Sequence, residues 1–127
     1  ITTLKARLLF DGGYYQQAYD LLNQYSMEDF SNQYDKLEFT YRLGRVLHGL
    51  KRHTEAIYYY SLTIKSGKST TWFFACNAAL QTGKIYESTN RQQAAINAYK
   101  TCLSISPDEY KTGLHQQAKA GLVRMQK

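Results

Sequence analysis

Three stretches of this 127-residue chain align with one another without a gap, and this repetition limits the possible folds more than any other feature. They are residues 6–19, 44–57 and 83–96. Each opens on a small residue (Ala6, Gly44, Gly83) and carries a large apolar residue three positions later (Leu9, Leu47, Tyr86). Each has an alanine twelve positions after the opening residue: Ala18, Ala56 and Ala95, spaced 38 and 39 residues apart. Lys119-Ala120-Gly121-Leu122 echoes Lys5-Ala6-Arg7-Leu8, which puts Ala120 at the small position of a fourth unit.

Two antiparallel helices joined by a short turn approach to about 8–10 Å only where small side chains meet at the crossing. Ala6, Gly44, Gly83 and Ala120 mark such crossings, with Leu47, Tyr60, Tyr86 and Tyr99 filling the seams beside them. No period-two alternation persists anywhere, and the Ala56/Tyr60/Thr63 spacing assigns Tyr58-Tyr59-Tyr60 to a helix. Proline occurs once, at Pro107, so helices can run unbroken. The pattern predicts helices at 2–11, 15–25, 33–49, 54–66, 70–88, 92–105 and 108–126, with linkers at 26–32 and 66–69. Ser106-Pro107-Asp108-Glu109 combines an N-cap serine, a first-turn proline and a glutamate three after the cap, which predicts the last helix start. Asn90-Arg91-Gln92-Gln93 makes a weaker box of the same kind, and Gly12-Gly13 breaks the first hairpin.

The small–large–small–aromatic order resembles the tetratricopeptide repeat, in a bacterial-type form. Leu43-Gly44, Leu47, Glu55-Ala56-Ile57 and Tyr60 carry the resemblance in the second unit. Gly83, Tyr86, Ala95-Ile96, Tyr99, Cys102 and Pro107 carry it in the third. The first unit matches from about Ala6 to Tyr25. The period exceeds the family's usual 34 residues, Thr40 and Ala79 stand where the motif has an early aromatic, and Lys68 replaces the second unit's terminal proline. The resemblance implies one all-α domain over 1–127, a right-handed superhelix of antiparallel hairpins. Its repeats are 1–32 (truncated), 33–69 and 70–107, followed by a capping or partial fourth-repeat helix at 108–127.

In this family the first helix of each unit lines a concave groove, and the residue after the small one faces it. Those residues here are Arg7, Arg45 and Lys84, with Tyr41, Arg42, His48, Gln81 and Glu87 beside them. The implied function is a protein–protein interaction scaffold gripping an acidic protein or peptide, since arginine pairs bidentately with carboxylates. A solvated face with internal ion pairs, such as Arg42 with Glu38 one turn away, is the competing reading. Tyr41 and Arg45 replace the lysine and asparagine of the carboxylate clamp in chaperone-binding members, so chaperone tails are not the expected ligand.

The net charge of +6 favours acidic partners. Nucleic acid, stacked on some of the twelve tyrosines, is the runner-up partner class. An accessory domain of a larger protein with activity elsewhere is a third reading. Catalysis, cofactor and metal are not expected. His48, His53 and His115 show no metal-ligand spacing, and Cys76 and Cys102 read as inert core residues. No apolar run of about 18 residues is present, so no span is expected. The chain opens at Ile1 inside a helical pattern, as a fragment or processed form would. Truncated units at both ends suggest self-association, and bacterial cytoplasm and periplasm both fit.

Overall fold

The computed structural model describes residues 2–126; Ile1, expected inside the first helix, lies outside them. These residues form seven α-helices and one 3-10 turn, with no strand, which is the expected all-α class. The helices are α1 (Thr2–Asp11), α2 (Tyr15–Leu22), α3 (Gln33–Gly49), α4 (His53–Gly67), α5 (Phe74–Ser88), α6 (Gln92–Ser104) and α7 (Lys111–Met125). They fall into two compact units, Ile1–Leu62 and Thr63–Lys127, the boundary lying within α4.

Three hairpin turns are built alike. Each helix ends on a residue in the left-handed region: Gly13 (φ 84°), Lys51 (φ 61°) and Asn90 (φ 61°). The next amide then bonds back five residues: Tyr14 N–H to Leu9 C=O at 2.8 Å, Arg52 to Leu47 at 2.9 Å, and Arg91 to Tyr86 at 2.9 Å. This is the Schellman closure, which satisfies carbonyls the helix leaves orphaned. Glycine makes the left-handed turn without steric cost, and asparagine tolerates it.

In the first unit Ala6, Ala18, Leu22, Phe39, Leu43 and Val46 form the core. In the second, Ala75, Cys76, Ala79, Leu80, Ala95, Tyr99, Cys102, Ile105, Leu114 and Ala118 do. The glycines mark the tightest approaches. A Cβ on Gly44 would stand 2.5 Å from Tyr60 Cδ1. A Cβ on Gly83 would stand 2.5 Å from Tyr99 Cε1, and one on Gly121 would stand 2.5 Å from Tyr99 Cε2. The Tyr99 ring is therefore wedged between α5 and α7.

That contact corrects the fourth small position. Ala120 is exposed, and the buried residue at the crossing is Gly121, one position on. The small residues in register are Ala6, Gly44, Gly83 and Gly121, at intervals of 38, 39 and 38. Sixteen residues after Ala6, Gly44 and Gly83 stand Leu22, Tyr60 and Tyr99, all fully buried. Where the small residue keeps a Cβ, at Ala6, the residue at the tyrosine's repeat position is the smaller leucine, Leu22.

Three helix ends differ from expectation. α2 stops at Leu22 because Ser26 and Asp29 form a capping box that starts a separate turn, Met27–Asp29, with Ser26 N–H donating to Asp29 Oδ2 at 2.7 Å. α5 begins at Phe74 rather than residue 70, and α7 at Lys111 rather than residue 108. The last two have one cause. Asp108 N–H donates to the Thr71 carbonyl at 2.8 Å, and the Tyr110 ring meets the Phe73 ring edge-on at 5.3 Å. Pairing of these two irregular segments overrides the helix-start chemistry of Ser106-Pro107-Asp108-Glu109. Pro107 is buried instead, and Tyr110 turns left-handed (φ 62°) before α7 begins.

Gly44→Ala should lower stability by about 1–3 kcal/mol, because the buried Tyr60 ring has no room to retreat. Gly113→Ala, with no atom within 4 Å of the new Cβ, should raise it by about 0.5–1 kcal/mol through helix propensity. Urea denaturation of both variants checks this; equal effects would contradict the packing role of Gly44.

Candidate binding surface

Tyr60 and Tyr99, the rings packed on Gly44 and Gly83, each send the hydroxyl to the residue one helical turn beyond that glycine. In the first unit the Tyr60 hydroxyl meets His48 Nδ1 at 3.1 Å. In the second, the Tyr99 hydroxyl donates to Glu87 Oε1 at 2.6 Å. His48 and Glu87 are 39 residues apart, as are Gly44 and Gly83. Burial raises the Tyr60 phenol well above its usual range, against the nearby Arg45 charge. Burial also pushes Tyr99 up to about 12, with Glu87 adding to the effect. Both phenols therefore stay neutral and serve as hydrogen-bonding tips of core rings.

Glu87 is further held by Arg124 of α7, whose Nε and Nη2 donate to its two oxygens at 2.7 and 3.1 Å. The second unit thus closes on a Tyr99–Glu87–Arg124 chain that links α5, α6 and α7. Sequence reasoning placed Glu87 only near the groove and did not single out Arg124. The signal for Glu87 was its offset of four from Gly83, the same as that of His48 from Gly44.

The groove residues divide into exposed and buried. Arg7 on α1 is exposed. Arg45 on α3 is half-buried, its guanidinium 5.1 Å from the centre of the Phe10 ring. Lys84 on α5 is half-buried, with Nζ donating to Gln117 Oε1 at 2.8 Å. Tyr41, Arg42 and Gln81 are buried instead of lining an open wall. Arg42 and Gln81 occupy one repeat position, three before the cation, and both are turned inward. Gln81 Nε2 donates to Asn77 Oδ1 at 3.1 Å. The Arg42 guanidinium lies 5.0 Å from the Tyr41 ring centre, and its Nε is buried without a hydrogen bond, 3.8 Å from Glu38 Oε2. Burial lowers its pKa, while Tyr41 and Glu38 oppose the shift. Glu38 also accepts from Thr3 Oγ1 at 3.1 Å, which ties the pair to α1. The Arg42–Glu38 proximity is the ion pair of the competing reading. Tyr86, expected in the packing seam, is partly buried, with the Arg91 guanidinium 4.8 Å from its ring centre.

Among the described residues no helix is long and apolar enough to cross a membrane. The tetratricopeptide repeat family model matches residues 77–109, a span running from within α5 through α6 to just past Pro107. No curated protein and no solved structure gives a significant match.

The Arg124 hydrogen bonds, and less strongly that from Tyr99, hold the Glu87 carboxyl below its usual value against the effect of burial. A depressed carboxyl contributes stability that is complete above its unfolded value and lost as pH falls through the folded one. Glu87→Gln should therefore melt below wild type at neutral pH. The gap between them should narrow as pH drops below about 4, followed by circular dichroism. A gap that stays constant down to acid pH would remove the charge from this role.

Proposed function

Because residues 77–109 carry a tetratricopeptide repeat, a protein–protein interaction scaffold, we propose that this chain is a non-catalytic binding module whose partner is an acidic protein or peptide, gripped by Arg7 and Arg45. One observation carries the reading. The ion pairs formed by arginines take up Arg42, Arg52 and Arg124, with Glu38, Glu55 and Glu87. Neither Arg7 nor Arg45 pairs with a carboxylate among the described residues. Their charge is left for a ligand, in a chain of net charge +6.

Three local features support this. Laid against the Phe10 ring, Arg45 has already given up much of its rotamer freedom, so less is lost when it binds. The Arg42 charge, fixed behind the surface, is repelled by Arg7, and an incoming carboxylate relieves that repulsion. Arginine presents a planar fork of donors that matches a carboxylate in two parallel hydrogen bonds. Lys84 stands at the same repeat position in the second unit and offers a point charge there.

The Arg7→Glu/Arg45→Glu double variant should bind a fluorescent Glu- and Asp-rich peptide about 10-fold or more weakly, equivalent to about 1.4 kcal/mol. It should remain folded by circular dichroism, and the wild-type affinity should fall as salt rises. Wild-type affinity in the folded double variant would overturn the assignment. Tighter, steeply salt-dependent binding of single-stranded RNA than of the acidic peptide would favour nucleic acid instead.

A further inference from the structure

Cys76 on α5, Cys102 on α6 and His115 on α7 are far apart in sequence, and the second unit folds them together. Their ligand-capable atoms all lie within 4.8 Å of one another. The two sulfurs are 3.6 Å apart. Around a tetrahedral zinc ion with Zn–S bonds of about 2.3 Å, two thiolate sulfurs stand about 3.8 Å apart. The pair is already close to that spacing, with an imidazole beside it.

The surroundings are rich in lone pairs and poor in protons. The Cys76 thiol has one proton and three acceptors within reach: the Cys102 sulfur, the Cys102 carbonyl at 3.6 Å and the Ile105 carbonyl at 3.7 Å. Cys102 Sγ faces the Leu114 carbonyl at 3.9 Å. The Ile105 carbonyl oxygen lies 2.7 Å from His115 Nε2 and holds the ring beside the two sulfurs. Two sulfurs, three carbonyl oxygens and an imidazole converge here. An ordinary core cysteine, by contrast, packs as a small hydrophobe with little polar company.

We propose that Cys76, Cys102 and His115 form a Cys2His site for a thiophilic d10 cation, zinc(II), which fastens α5, α6 and α7 together. Two thiolates and one neutral imidazole are a donor set that borderline-soft ions select over calcium or magnesium. On binding, each thiol gives its proton to solvent and its sulfur lone pair to the metal, so the two thiolates balance the charge of the ion. Both cysteines are fully buried, whereas His115 is partly exposed. The ion enters, and takes a fourth ligand from solvent, on the His115 side.

The test uses the whole chain, reduced and stripped of metal with a chelator, and titrated with Co²⁺ as the spectroscopic stand-in for Zn²⁺. One Co²⁺ per chain should bind, with the thiolate-to-cobalt charge-transfer absorption that only sulfur ligation gives, and Zn²⁺ should abolish the band. Zinc should also raise the melting temperature. Cys102→Ser and His115→Gln should each weaken binding at least about 10–100-fold, since losing a ligand costs no less than losing its outer partner. His115→Gln changes a partly exposed side chain, so it decides the matter even if Cys102→Ser fails to fold. Absence of a charge-transfer band in folded, reduced protein would overturn the proposal. So would a band that His115→Gln leaves unchanged, or binding of Cu(I) without any response to Co²⁺ or Zn²⁺. Conversion of the pair to a disulfide, two hydrogens lighter by mass, in protein that takes up no metal when reduced would also overturn it.

Discussion

The contact on which the rest of the structure depends is an aromatic ring packed directly against a glycine. At Tyr60 on Gly44, and at Tyr99 between Gly83 and Gly121, a full ring is buried where even one added methyl would overlap it. Packing of this kind gains dispersion and hydrophobic energy from a large side chain while keeping the helix axes close. It also explains the paired choice of residues. A ring needs a glycine opposite, whereas Ala6, which keeps its Cβ, shares its core with Leu22 at the ring's repeat position. The small and large positions therefore vary together, and exchanging one alone leaves either an overlap or a void.

The same ring aims a polar group. A buried tyrosine must satisfy its hydroxyl, and the helix that supplies the glycine supplies the partner one turn later. The first unit uses the His48 imidazole and the second the Glu87 carboxylate. A carboxylate can accept from more than one donor, so the second unit recruits Arg124 and extends the chain to a third helix. Two units of one design thus diverge at a single position. One pairs the hydroxyl with an imidazole, and the other joins it to an ionic network with a dependence on acid.

Spacing made the all-α class and the small positions legible, because the requirement for small side chains repeats wherever two helices cross. It misplaced the fourth position by one residue. Matching Lys119-Ala120 to Lys5-Ala6 weighed residue likeness above interval, while the interval of 38 from Gly83 pointed to Gly121. Helix starts at 70 and 108 were not legible, since both give way to one long-range bond between Asp108 and Thr71. Burial of Tyr41, Arg42 and Gln81 was hidden for a related reason. Each is polar or amphipathic, and only the fold shows that α3 and α5 are enclosed around 39–44 and 78–83. The Cys76, Cys102 and His115 cluster has no local spacing at all, because each member comes from a different helix.

The charged residues follow one rule. An arginine whose carboxylate partner lies within its own fold is turned to internal use: Arg42 with Glu38, Arg52 with Glu55, Arg124 with Glu87. Such pairs add little net stability at the surface, and they also remove charge from recognition. Arg7 and Arg45 have no such partner among the described residues, and their repeat position follows the small residue that sets the helix crossing. The backbone at that position follows a buried small residue, so a side chain there is presented from a packed base. Rigid presentation of an unspent charge is what a binding surface needs, because affinity is lost chiefly to the ordering of flexible groups. The small-residue contacts that make the fold possible thereby fix the backbone from which Arg7 and Arg45 project.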